Sequence, residues 1–273
     1  MSLPVVGLMR FSLVTERNRS SFKLTRERTL EEAVSLIHQP DRLEQRMALF
    51  ESMPLRCFEQ QSDQDFKLVV LTSTLLPKPV KRRLRQLAES RDFLVIKTAP
   101  PDRSLSRAAS MAAAACVDGG PMVTFRIDDD DALAPDFVAS LKALAAVAAP
   151  GDMVSFERGL YLQPDGEDFL LQERNYRNIA IGLATLSDDG RTIFDRGSHV
   201  RSDKFPVHVD DRPEAWIRLL HQGSDSGARI DPGRPVARIK PQDLAARLPT
   251  FSRLGFAAVH AALTPARATT GRN

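Results

Sequence analysis

Four consecutive carboxylates, Asp128, Asp129, Asp130 and Asp131, follow the apolar run Met122-Val123-Thr124-Phe125-Arg126-Ile127. Adjacent negative charges repel one another unless water, a helix terminus or a cation neutralises them. The run itself reads as a buried strand, which sets the carboxylates at its C-terminal tip, where open α/β sheets place their ligands. Carboxylate oxygens suit Mg²⁺ or Mn²⁺, and these ions favour phosphate oxygens as further ligands. The expected ligand is therefore a nucleotide or another diphosphate. Helix capping is the competing role for one or two of the four. Pro135 to Ala148 carries Phe137, Val138, Leu141, Leu144, Ala145 and Ala148 at helical spacing just downstream.

Alternating elements must position this tip. Strand patterns span residues 4–14, Lys67–Leu71, Phe93–Lys97 and 122–127, and helical patterns span 42–53, Lys78–Ser90 and Leu105–Val117. That order implies right-handed crossovers and a mostly parallel sheet flanked by helices. Beyond Pro150-Gly151 the pattern changes to short strands at Met153–Phe156, Leu160–Leu162 and Phe169–Leu171, the last two joined by Pro164-Asp165-Gly166. Residues 175–213 read as loops lining the mouth of the sheet, 214–221 as a short helix with the only tryptophan, Trp216, and 264–273 as a disordered tail. The expected organisation is a single domain over 1–263, with a nucleotide-binding half at 1–150 and an acceptor-side half at 151–263.

Composition excludes several classes. An apolar content of 42% with 27% charged residues suits a soluble globular protein, and no run approaches the length of a membrane span. The N-terminus does not read as a secretory signal, and two cysteines, Cys57 and Cys116, are too few for a disulfide framework, so the cytoplasm is the expected compartment. Nucleic acid is not an expected partner, because 6% aromatic residues and a net charge of only +3 leave no basic stripe with stacking rings. The densest basic patch, Lys81-Arg82-Arg83-Leu84-Arg85, reads as an outer helix face that allows peripheral contact with an anionic membrane. No Gly-rich phosphate loop is present, so metal and arginine must hold any phosphate.

The segment from Thr124 through Asp128-Asp129-Asp130-Asp131-Ala132-Leu133-Ala134-Pro135 to Val138 resembles the bacterial rhamnosyltransferase family, and its Asp-x-Asp-Asp strand end resembles the DXD region of GT-A glycosyltransferases. Leu8-Met9-Arg10-Phe11-Ser12, Gln60 to Phe66 and Trp216 to His221 agree with it, so the resemblance touches about residues 5 to 225. It implies a GT-A-like α/β fold with a hairpin-rich C-terminal part. It also implies a nucleotide-diphosphate sugar donor, a saccharide or glycolipid acceptor, and Mn²⁺ or Mg²⁺ as a Lewis acid on the leaving group.

Carried over by residue, Asp128 and Asp130 form the DXD pair, Asp131 assists the metal, and Asp129 points outward or caps. Asp128, Arg10 and Arg126 are the expected donor contacts. Arg126, within the strand, needs an anionic partner, either a cluster carboxylate or a donor phosphate. His199 and His221 are candidate metal or diphosphate contacts from later loops. Inverting transfer also needs a general base, for which Asp211 and Asp210 are placed best, with Glu157 a rival and capping of the expected Trp216 helix an alternative. Two other readings of the aspartates are a Mg²⁺-dependent phosphohydrolase or nucleotidyltransferase, and a non-catalytic sugar- or Ca²⁺-binding protein.

Overall fold

The computed structural model describes residues 3–17, 19–21, 24–197, 204–223 and 228–264. His199 and the expected tail beyond residue 264 lie outside the described residues. The first half alternates strand and helix as expected: β1 (Val5–Arg10), α1 (Leu30–Ile37), α2 (Pro40–Ser52), α3 (Pro54–Glu59), β2 (Lys67–Ser73), α4 (Lys78–Glu89), β3 (Leu94–Ala99), α5 (Leu105–Ala114) and β4 (Met122–Asp128). Then follow β5 (Ala132–Leu133), α6 (Phe137–Ala145), β6 (Met153–Phe156), β7 (Arg158–Asp165), β8 (Asp168–Asn175), β9 (Ala184–Ser187), β10 (Val207–Asp210), β11 (Trp216–Leu219), β12 (Ala237–Ile239), α7 (Leu244–Arg247) and α8 (Phe256–Leu263).

The strands form a seven-stranded sheet, β10-β6-β9-β4-β1-β2-β3, and a five-stranded sheet, β12-β8-β7-β11-β5. In the larger sheet β3, β2, β1 and β4 are parallel, and only β9 runs against its neighbours. This is the mixed α/β architecture expected, a mostly parallel sheet flanked by helices. The chain steps outward from β1 through β2 to β3 and returns to β4 on the other side of β1, so a topological switch lies between β1 and β4.

Side-chain type explains the layers. One face of the large sheet packs on a row of aromatic contacts, Phe93–Phe66–Phe58–Phe125–Phe137–Phe156, with neighbouring ring centroids 4.7–5.9 Å apart. Each such pair adds about 0.5–1.5 kcal/mol beyond area burial. The other face is covered by the Ala108, Ala109, Ala112 and Ala113 stripe of α5, whose small side chains let the helix approach Val6, Leu8 and Val69. A capping box starts α1: Thr29 Oγ1 accepts from Glu32 N–H at 3.2 Å and Glu32 Oε2 accepts from Thr29 N–H at 2.8 Å. Pro40 starts α2, which buries Leu43, Met47 and Phe50 at one-turn spacing.

Three expectations are corrected. Residues 214–221 do not form a helix; Trp216–Leu219 is β11, inserted parallel to β7 and antiparallel to β5. A four-residue apolar run is too short for periodicity to separate helix from strand, and the vacant place between two strand edges decided it. Gly159 makes that place, since a Cβ there would lie 2.2 Å from the Trp216 ring. Residues 175–213 are not only loops, because β9 and β10 complete the large sheet. The first strand stops at Arg10 rather than Val14, and the chain bends at Ser12, which takes a positive φ of 46°.

Candidate functional site

The aspartates sit at the switch point. Arg10 and Asp128 are register partners at the C-terminal ends of β1 and β4, and Arg10 Nη2 donates to Asp128 Oδ1 at 2.9 Å. The chain then turns, with Asp131 N–H bonding back to Asp128 C=O at 3.4 Å, before β5 pairs with β11. That pairing brings the later segment onto the cluster. Leu219 N–H donates to Asp131 Oδ1 at 3.3 Å, and His221 Nε2 meets Asp130 Oδ2 at 2.8 Å. His221 Nδ1 accepts from Gly223 N–H at 3.1 Å, which leaves Nε2 as the nitrogen that donates a hydrogen bond to Asp130. His221, a candidate metal contact from the sequence, thus stands within hydrogen-bond reach of Asp130.

Asp129 departs most from expectation. It neither points outward nor caps α6, which begins after Asp136 without a side-chain cap bond. It is 1% exposed and gripped by both nitrogens of the Arg46 fork, with Nε donating to Oδ2 at 2.9 Å and Nη2 to Oδ1. Arg46 lies one position before Met47 on α2, just off the buried stripe, so the packing of that stripe aims its guanidinium at the aspartate turn.

Charge within the cleft is arranged unevenly. Burial works against ionisation of Asp128, but Arg10 and Arg126 outweigh it and hold this carboxyl below the usual range. Asp131 is pushed well up by burial and by the charge of Asp130, against the attraction of Arg218. Asp131 thus holds its proton more tightly than an ordinary carboxyl does. Arg126 is drawn down to about 10, first by burial and then by Arg10 and Arg218, with Asp128 and Asp131 opposing. Its guanidinium stacks on Phe194 at 5.5 Å and makes no direct ion pair among the described residues. Gly182 permits this strand end to be held tightly: it takes a positive φ of 74°, donates to Arg126 C=O at 2.9 Å, and a Cβ there would meet the Phe137 ring at 2.8 Å.

A cleft of about 140 Å³ opens beside the cluster. Asp128, Asp130, Asp131, Arg10 and Arg218 form its polar wall, and Leu13, Val14, Leu24 and Ile37 from the long β1–α2 connection form an apolar one. The structure therefore brings together Arg10, Arg126, Asp128, Asp130, Asp131 and His221. It does not bring Asp210 or Asp211 into this cleft. They end β10 on the outer edge of the sheet, where Asp210 Oδ1 accepts from Arg212 N–H at 3.0 Å and Asp211 is exposed. Glu157, the rival, is tied through its backbone to Asp210 and Tyr176. Sequence reasoning missed Arg46 and Arg218. The only signal for them was an arginine beside each apolar stripe, and the chain holds 30 arginines.

The donor types suit a hard divalent cation, since three carboxylates, Asp128, Asp130 and Asp131, face one cleft. Among the described residues, however, no three His, Cys, Asp or Glu side chains are gathered tightly enough to form a metal group.

Comparison with known proteins places the chain. No curated protein matches the sequence. Among solved structures, S. aureus TarS is 9% identical with a TM-score of 0.45 over 81% of this chain and 37% of TarS. S. aureus TarS 1-349 in complex with UDP-GlcNAc is 10% identical with a TM-score of 0.44 over 89% of this chain and 64% of that one. The mannosyltransferase PcManGT from Pyrobaculum calidifontis, in complex with GDP-Man and Mn²⁺, is 16% identical with a TM-score of 0.32 over 55% of this chain and 34% of that one. The chain thus spans less than two thirds of each of these. A family model described as "Putative rhamnosyl transferase" matches residues 4–232, well over half of the sequence, and the chain belongs to that family.

Proposed function

We propose that this protein transfers a hexose, with rhamnose the first candidate, from a nucleotide-diphosphate sugar to a saccharide or glycolipid hydroxyl with inversion. The observation that carries the reading is Arg126. A half-buried guanidinium that faces two cations, Arg10 and Arg218, as well as two carboxylates, Asp128 and Asp131, and makes no direct ion pair among the described residues can receive a further anion, and a donor diphosphate supplies it. Arg10 and Arg218 share that charge at the cleft wall. The apolar wall from the β1–α2 connection suits the flat face of a nucleobase.

Asp128, Asp130 and Asp131 are the residues that would hold Mn²⁺ or Mg²⁺, with His221 orienting Asp130, and His199 remains a candidate ligand outside the described residues. Bound there, the ion supplies Lewis-acid neutralisation of the departing diphosphate. Asp211 is the proposed general base; it stands outside the cleft, just past the end of β10, but β10 runs in the same direction as β4, so both strand tips lie along one edge of the sheet. Asp210 is already engaged by Arg212, whereas the exposed Asp211 carboxylate has no hydrogen-bond partner among the described residues and can accept a proton from an acceptor hydroxyl.

The test is thermal stabilisation by UDP, dTDP, GDP and CDP, each with and without Mn²⁺, in the native protein and in Asp130→Asn. At a hundredfold excess over Kd, one nucleotide adds about 2.7 kcal/mol of apparent stability. The expected result is stabilisation by one of the four that needs metal and is lost in the variant. Stabilisation that ignores both metal and variant removes the metal from the reading, and no stabilisation by any of the four overturns the transferase reading itself.

A further inference from the structure

We propose that the rim around the C-terminal ends of β1, β2 and β3 is a docking surface for an anionic lipid membrane, seated through Arg17, Lys78, Arg82, Arg103 and Arg107 around the exposed Leu75. The rim is one continuous surface because backbone bonds join its loops. Thr74 N–H donates to Ala99 C=O at 3.0 Å and Glu16 N–H to Pro101 C=O at 2.8 Å. Arg17, Arg103 and Arg107 line a single shallow hollow together with Asp102 and Ser104, so one carboxylate offsets part of the charge there. None of the five cations makes a side-chain ion pair or hydrogen bond among the described residues. By contrast, Arg83 on the neighbouring face of α4 is paired with Glu51 at 2.7 Å, and Lys81 is bound to Thr74 C=O at 3.0 Å.

Local energetics do not account for this placement. The first turns of α4 and α5 hold Lys78, Lys81 and Arg107 and no acidic residue, although the helix dipole favours anions at that end. Along α4 the basic residues Lys78, Lys81, Arg82, Arg83 and Arg85 fill the first two turns and Glu89 stands in the last, so the basic part of the helix begins beside the strand tips. Leu75, 46% exposed in the loop before α4, supplies an apolar contact at the centre of the patch. Lipid fits better than nucleic acid. Tyr176 is the sole aromatic among the exposed large apolar side chains described, and it lies on another element, so the rim offers no ring for base stacking.

The same sheet edge carries Arg10 and Asp128, so a chain seated on this rim turns its cleft toward the bilayer. That orientation suits a glycolipid acceptor if the transferase reading holds, but membrane binding itself does not depend on that reading. No helix among the described residues is long and apolar enough to cross a membrane.

Co-sedimentation of the full chain with phosphatidylcholine vesicles and with vesicles containing added phosphatidylglycerol tests the proposal. Binding is expected only to the anionic vesicles and to weaken with salt. Each basic residue near such a surface contributes about fivefold, so Lys78→Gln/Arg103→Gln/Arg107→Gln lowers partitioning by about a hundredfold. A control with Arg56→Gln/Arg234→Gln/Arg253→Gln, exposed on other elements, keeps native binding. Equal or absent binding to the two vesicle types overturns the proposal, as does an equal loss in the control. Tighter binding to an oligonucleotide than to anionic vesicles reassigns the rim to nucleic acid and also overturns it. Nucleotide-dependent stabilisation is read separately, so either idea can fail alone.

Discussion

Replacing Arg46 with Met leaves the Asp129 carboxylate buried without its cation. Met retains much of the apolar stem by which Arg46 packs, so the loss is electrostatic rather than a cavity. Breaking a buried ion pair from one side costs about 3–5 kcal/mol. The two partners are not equivalent. Asp129 is 1% exposed and has no route to water, whereas the Arg46 side chain is 19% exposed and lines the cleft. Asp129→Asn therefore lets Arg46 turn toward solvent and costs about 1–3 kcal/mol, the range for a lost charge-assisted hydrogen bond. The double variant Arg46→Met/Asp129→Leu removes the stranded charge and recovers most of the Arg46→Met deficit. Urea denaturation of all four proteins in a chelating buffer, with m unchanged across the set, measures the three differences. Equal losses for the two single variants, or an Arg46→Met loss below about 1 kcal/mol, would refute the buried, one-sided pair.

Two further outcomes test the neighbouring parts of the structure. Gly159→Ala forces a Cβ to within 2.2 Å of the Trp216 ring, and the resulting overpacking costs about 1–3 kcal/mol or more, read as a lowered urea midpoint; an unaltered midpoint means β11 does not pack as described. Asp211→Asn lowers kcat by about 10²–10⁴-fold with donor KM nearly unchanged, while Asp210→Asn has the smaller effect because its carboxylate is occupied by Arg212; a reversed order transfers the base role to Asp210.

The parallel half of the sheet and the place of the aspartate cluster were legible in the chain alone. Long helices such as Lys78–Glu89 and Leu105–Ala114 carry several turns of periodic apolar residues, and the strands between them are continuous apolar runs, so local pattern and final position agree. A strand tip bearing four carboxylates points to a ligand edge whatever the rest of the fold does. The family's motif is likewise contiguous, which is why it could be recognised before any contact was known.

What tertiary structure alone decided is how each carboxylate is used. Asp128, Asp129, Asp130 and Asp131 are chemically identical neighbours in sequence, yet they meet Arg10, Arg46, His221 and Leu219 N–H, residues 83 to 118 positions away. No local preference distinguishes four adjacent Asp side chains. The difference arises from the angle of α2 against the sheet and from the insertion of β11 beside β5, both set by packing between distant segments. The same packing made a strand of Trp216–Leu219, where four apolar-rich residues taken alone fit helix and strand equally well.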